Sequence, residues 1–297
     1  MNANAPITQL VTEMDRYLFD LNGYLILKNA LSADEVDAMN QTYDDVQKFS
    51  ETMDSQMGWF GNVRINNSGR QEGLGMQQLY EAGPVWEELI DHPSWFEKIK
   101  HFVGTDDPEN FDGHHGPAFI DECFGTIRGP GGAQRLHSGG HVGTIRTQFR
   151  YHAGKFHCGQ VNVLMALTDI GPGDGATMVV PGSHKAQHAP ATEDLSRTDL
   201  FPGAVEICGT PGTAILFHNA LWHSQGPWNK NDGARIMLYY AYEHPWMIAS
   251  QEHWGYSKAF YNGLSTERRG LFHGFLFDLL IVIQMCKRTN SREDDNK

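Results

Sequence analysis

Positive charge is what this sequence has least of. Lys and Arg number 23 against 36 Asp and Glu, a formal charge of −13, and no basic stripe interrupts the chain. Neutralising nucleic-acid phosphates or an anionic bilayer needs clustered cations, so neither is expected as a partner. Cysteine is scarce too. Cys123, Cys158, Cys208 and Cys286 are widely spaced and form no CxxC pair, which reads as reduced thiols in a cytoplasmic protein rather than a disulfide frame or zinc knuckle. The longest apolar run, LFHGFLFDLLIVIQMC over residues 271–286, contains His273 and Asp278 and falls short of the ~20 residues that span a bilayer. It is expected to be a core-docking helix or the face of an oligomer. The N-terminal MNANAPITQLVTEMD has neither the cationic nor the apolar region of a secretory signal. No GxSxG elbow, P-loop or helix-opening GxGxxG occurs, so hydrolase, NTPase and dinucleotide readings have no support.

What is present suits a packed globular chain: 40% of all residues are apolar and 11% of all residues are aromatic. Residues 14–22 read as helical, and GYLILKNA (23–30) as a β-rich run ending at a capping box. Ser32 at the N-cap and Glu35 three residues on predict a helix from about Ala33 to about Phe49. Residues 52–82, rich in Gly, Asn, Met and Gln, are expected to form a long covering loop with short elements. A further helix over 84–104 should break or kink at Pro93. From about residue 117 the texture changes to short apolar runs between Gly, Pro and Asp. AFIDECFGTIR, RTQFRYH, QVNVLMALTDI, ATMVVPG, AVEIC, TAILFH and ARIMLYYAYEH each read as a strand. Helices followed by evenly spaced strands predict a mainly β fold with flanking helices, a double-stranded β-helix or jelly roll of cupin type. The expected organisation is one domain over 1–297, with a helical cover and leading strands to 116, the jelly roll over 117–245 and an extension over 246–297. The tail SREDDNK is expected to fray.

The chemistry concentrates in RLHSGGH, residues 135–141. Non-haem iron is held by two histidines and a carboxylate on one face of the metal, and HxD or HxE commonly supplies two of the three. Here His137 is followed by Ser138 and Gly139, with no carboxylate. The distal candidate is His223, in LWHSQGPWNKNDGAR between the runs TAILFH and ARIMLYYAYEH. Arg235 lies twelve residues further on and could take a carboxylate bidentately, which a lysine cannot match.

At these residues the chain resembles the phytanoyl-CoA dioxygenase family of Fe(II)/2-oxoglutarate oxygenases. FDLNGYLILKNALSADEVDAM, LIDHP with Gly104, VNVLMALTDIGPGDGATMVVPGSHK and HSQGPWNKNDGAR are all similar to segments of that family. The resemblance implies His137 and His223 as iron ligands and Arg235 as the partner of the 2-oxoglutarate C5 carboxylate. It departs at Gly139, in the manner of iron/2-oxoglutarate enzymes that halogenate aliphatic carbon, where Gly or Ala replaces the carboxylate. Two neutral imidazoles and the 2-oxoglutarate dianion already balance Fe(II), so the vacancy suits chloride. The implied cofactors are Fe(II) and 2-oxoglutarate, with chloride as a candidate third, and the implied substrate is a small molecule with an aliphatic C–H bond.

The blander readings stand beside these. His137 and His223 alone would pass for satisfied core histidines, and Gly139-Gly140 for a tight turn. The missing ligand has candidate substitutes in Asp112, Asp121, Glu122 and His141, or in water, which would give a hydroxylase. A non-catalytic barrel that only binds a small molecule is the rival from another class. His184, in PGSH, is expected to hold a turn, and His218 to be a satisfied core histidine. Gln160 and Asn162 alternate on one face with Leu164 and Ala166. They and Gln134, just before the HSG turn, are candidate co-substrate contacts.

Overall fold

The computed structural model describes residues 10–68, 73–107, 116–131, 134–139, 147–196, 199–229, 233–245 and 256–272. Asp112, His141, the apolar run beyond Phe272 and the charged tail lie outside the described residues.

The two leading helices start where their caps dictate. Helix α1 (Glu13–Asn22) is capped by Thr12, and α2 (Ala33–Ser50) by Ser32, whose backbone N–H is taken by the Glu35 carboxylate at 2.7 Å. His92 reaches the other Glu35 oxygen at 3.1 Å, and this bond, ahead of those from Ser32, pulls the carboxyl down to about 2. Between the helices runs β1 (Tyr24–Leu27). The helix expected over 84–104 breaks around Pro93 into α3 (Pro84–Glu88), a 3-10 turn and α4 (Phe96–Val103), because proline removes an amide donor and crowds the preceding turn.

Residues 52–82 differ from the expected loop. They contain β2 (Met57–Phe60), β3 (Val63–Asn67) and β4 (Leu74–Gln77), which extend the main sheet. Only alternate residues of β3 and β4 are apolar and buried (Val63, Ile65, Leu74, Met76), so Gly, Asn and Gln between them mask the period.

The remaining strands are β5 (Phe119–Arg128), β6 (Tyr151–His152), β7 (Lys155–Phe156), β8 (Gln160–Ala166), β9 (Thr177–Val179), β10 (Val205–Ile207), β11 (Ala214–His218), β12 (His223–Gln225) and β13 (Arg235–Glu243). An eight-stranded antiparallel sheet runs β1-β11-β8-β13-β5-β4-β3-β2, and a three-stranded sheet runs β10-β9-β12. Of the described residues of the run RTQFRYH only the last two form a strand, β6, paired with β7 in a small hairpin.

Both faces of the main sheet are covered, which explains why β8 is buried at all seven positions. Its odd-numbered residues Val161, Val163 and Met165 face the helices in one cluster with Met39, Tyr43, Trp86 and Phe102. The helical layer is pinned by buried hydroxyls: Tyr240 donates to the Trp86 carbonyl at 2.8 Å, and Trp95 Nε1 donates to Tyr242 Oη at 3.0 Å. The even-numbered residues Leu164 and Ala166 meet Phe217, Met237 and Tyr239 and, from the small sheet, Val179 and Ile207. The jelly-roll interior therefore opens between the two sheets. Among the described residues no helix is long and apolar enough to cross a membrane.

Two histidines sit in this scaffold as structural groups. His218 is fully buried, donates from Nε2 to the Gln148 carbonyl at 2.9 Å and accepts from the Ala220 amide at 3.0 Å. His184 lies buried in the turn Ser183–Lys185 against Phe149. Burial pushes His218 down to about 3 and His184 to about 4. The unfolded chain takes up these protons below about pH 6.5 while the fold resists them. Their neutral forms thus contribute stability that is complete above pH 6.5 and drains as the pH falls toward 4 and then 3. Thermal unfolding across pH 7.5 to 4 is expected to show Tm falling below 6.5, with a slope of up to ~1.4 kcal/mol per pH unit for each group. A flat profile would mean that these histidines charge freely in the fold.

Candidate active site

The two candidate ligands are neighbours by backbone pairing. His137 and His223 form an antiparallel bridge, His137 N–H to His223 carbonyl at 3.0 Å and the reverse at 2.8 Å. Their ring centroids lie 4.4 Å apart. Each Nδ1 makes the same contact, donating to the carbonyl two residues earlier: His137 to Arg135 at 2.9 Å, His223 to Leu221 at 2.7 Å. A carbonyl only accepts, so Nδ1 carries the proton and Nε2 keeps its lone pair in both rings. That is the tautomer a metal ligand needs, fixed in advance by the backbone. Burial, then the neighbouring His137, pushes His223 down to about 3, so its lone pair stays available at neutral pH.

A cavity of about 120 Å³ opens beside the pair, lined by Phe124, Leu164, Phe217, Met237 and Tyr239 with Gln134, Thr177, Gln225 and Arg235. Strand parity puts these side chains there. On β13, Arg235, Met237 and Tyr239 alternate inward, opposite Arg128, Thr126 and Phe124 of β5. Gln134 is tied to β12, its N–H to Gln225 O at 3.1 Å and its carbonyl to Ser224 Oγ at 2.9 Å.

Arg235 is 3% exposed, donates one N–H to the Gly175 carbonyl and leaves Nε without a partner among the described residues. Burial, then Arg128, pushes its guanidinium down to about 9. Arg128 is missing from the sequence-derived site. It is 1% exposed, registers directly opposite Arg235 and donates to Gln225 Oε1. The two arginines together make this end of the cavity positive. The signal was an arginine closing the run FIDECFGTIR just before the turn that leads to His137.

Asn162 and Gln160 lie on the interior face but, among the described residues, neither lines the cavity. Asn162 Nδ2 donates to Asn219 Oδ1 at 3.2 Å, and Gln160 accepts the Asn219 amide through its carbonyl at 3.1 Å. Gly139 is half-buried and donates its N–H to the Asn219 carbonyl at 2.9 Å. Among the described residues no cluster of three His, Cys, Asp or Glu could hold a metal, so Asp121 and Glu122 do not join the two histidines.

The phytanoyl-CoA dioxygenase family profile matches residues 19–237, and the chain belongs to that family. It is similar to the dioxygenase andF of Emericella variicolor, 31% identical over 216 residues, 69% of this chain and 64% of that one. The chain thus spans a little under two thirds of that relative's length. A probable phytanoyl-CoA dioxygenase of Caenorhabditis elegans is 22% identical over 249 residues, 78% of this chain and 76% of that one. Among solved structures, HygX from Streptomyces hygroscopicus with nickel, 2-oxoglutarate and hygromycin B bound is similar in fold. Its TM-score is 0.64 at 22% identity, over 80% of this chain and 88% of that one.

Proposed function

We propose that the chain is a non-haem Fe(II)/2-oxoglutarate-dependent oxygenase acting on an aliphatic C–H bond of a small molecule, and that the vacancy at Gly139 admits chloride as the group transferred. The observation that carries the reading is the pair of imidazoles on one β-bridge, both with Nδ1 tied to backbone and Nε2 free. This donor set fits Fe(II), and the buried Arg235–Arg128 corner fits a dicarboxylate. His137 and His223 would hold the iron, and Arg235, with Arg128 beside it, would take the far carboxylate of 2-oxoglutarate. Gln134, at the cavity wall, is a candidate further contact.

Bound there, iron with 2-oxoglutarate supplies O2 activation coupled to loss of CO2. The chain's own residues do the positioning. The two Nδ1–H bonds stop the rings from turning, and Phe124, Leu164, Phe217 and Tyr239 give the cavity apolar walls. Gly139 contributes no ligand, so one place of the usual ligand set has no donor from this position. For halogen transfer the balance is R–H, Cl⁻, O2, 2-oxoglutarate and H⁺ giving R–Cl, succinate, CO2 and H2O.

Anaerobic addition of Fe(II) and 2-oxoglutarate to the apoprotein is expected to raise the visible charge-transfer band of the chelate, and His137→Ala or His223→Ala to abolish it. No band in the wild type would sink the oxygenase reading in favour of a barrel that only binds a small molecule. A product carrying hydroxyl whatever the chloride concentration would keep the oxygenase and remove halogen transfer.

A further inference from the structure

The space that a side chain at position 139 would use is already filled. A Cβ built on Gly139 would lie 2.0 Å from Asn219 Nδ2 and 2.2 Å from its Cγ. Asn219 is 4% exposed, and its Oδ1 is engaged by Asn162, which is fully buried. With Asn162 Nδ2 donating to Asn219 Oδ1, the Asn219 NH2 is the amide end nearer Gly139. Nδ2 has no partner among the described residues, and neither has the buried Oγ of Ser138, next in the chain to Gly139. Buried donors are seldom left unmatched unless something outside the chain satisfies them.

We propose that Asn219 is the anion-holding residue of the vacancy, donating Nδ2–H to a halide beside the two histidines, with Asn162 as the positioning residue that keeps the amide turned that way. The inference rests on the iron/2-oxoglutarate reading above. An amide NH2 has no lone pair to give a cation, so Asn219 in this orientation does not replace the carboxylate as a ligand. It recognises what the carboxylate would have excluded: a small, polarisable anion. At a residue as buried as Asn219 a charge-assisted N–H bond is stronger than in water. The fold therefore couples two changes, a glycine that opens the position and an asparagine that lines it.

The test uses the full chain loaded anaerobically with Fe(II) and 2-oxoglutarate and titrated with sodium chloride or bromide at constant ionic strength. The charge-transfer band is the readout. In the wild type the band is expected to shift saturably with halide. Asn219→Ala is expected to weaken halide binding by about tenfold or more while the 2-oxoglutarate midpoint stays in place. Asn219→Asp is expected to remove the halide response. Equal chloride affinity in the wild type and Asn219→Ala overturns the proposal, as does a wild-type band that forms normally and ignores halide. Failure of the band to form at all instead overturns the oxygenase reading beneath it. Should the variants not fold, wild-type crystals in bromide decide: an anomalous peak within hydrogen-bonding reach of Asn219 Nδ2 supports the proposal, and bromide elsewhere in the loaded site refutes it.

Discussion

Gly139→Asp alone is expected to abolish chloride transfer without restoring a working hydroxylase. The incoming Cβ meets the Asn219 amide at 2.0 Å, and Asn219 cannot swing clear cheaply because it is buried and bonded to Asn162. Overpacking a closed site costs about 1–3 kcal/mol, so the variant should also lose several degrees of Tm. The double variant Gly139→Asp, Asn219→Gly removes the obstruction. It is expected to recover the lost stability and to give a hydroxylated product, since a carboxylate then completes the usual ligand set. Product analysis of both variants, with Tm as the control for folding, decides the matter. A single variant that hydroxylates well at undiminished Tm would mean that Asn219 does not guard the position.

The second large effect concerns the other end of the cavity. Arg235→Leu is expected to weaken 2-oxoglutarate binding by roughly 10²- to 10³-fold, the cost of removing one partner of a buried charge pair. Arg235→Lys keeps the charge and loses the fork, so it should fall between the two. Arg128 sits opposite on β5 and is too committed to Gln225 to replace the lost contact. The charge-transfer band titrated with 2-oxoglutarate measures each affinity directly. If Arg235→Leu matched the wild type, the co-substrate would have to lie elsewhere.

The two ends of the site differed in how readable they were. His137, His223 and Arg235 were visible because a motif or a spacing announces a ligand, and because TAILFH and ARIMLYYAYEH are strands whose apolar runs are unbroken. Arg128 was not, since nothing in FIDECFGTIR says that its last residue faces the same cavity as Arg235. Only the register between β5 and β13 does. Asn219 was hidden for a related reason: in FHNALWH it reads as a polar turn residue until the turn brings it back onto Gly139. The same limit applied to the fold. The capping box at Ser32 and the break near Pro93 are local signals and carried through. The strands within residues 57–77 depend on an edge offered by β5, a long-range partner that local composition does not reveal, so Gly and Asn there resembled a loop.

The bridge between His137 and His223 has a practical consequence. Both rings are set by main-chain hydrogen bonds, so on the iron reading proposed above the pair is arranged before any ion arrives. Stripping the protein with a chelator should therefore leave it folded, with Tm lowered only by the mass-action share of metal binding, unlike small domains that metal holds together. The stripped protein becomes a blank socket. Redox-silent divalent ions could be seated between the same imidazoles, and the occupancy of the third position studied under air without turnover.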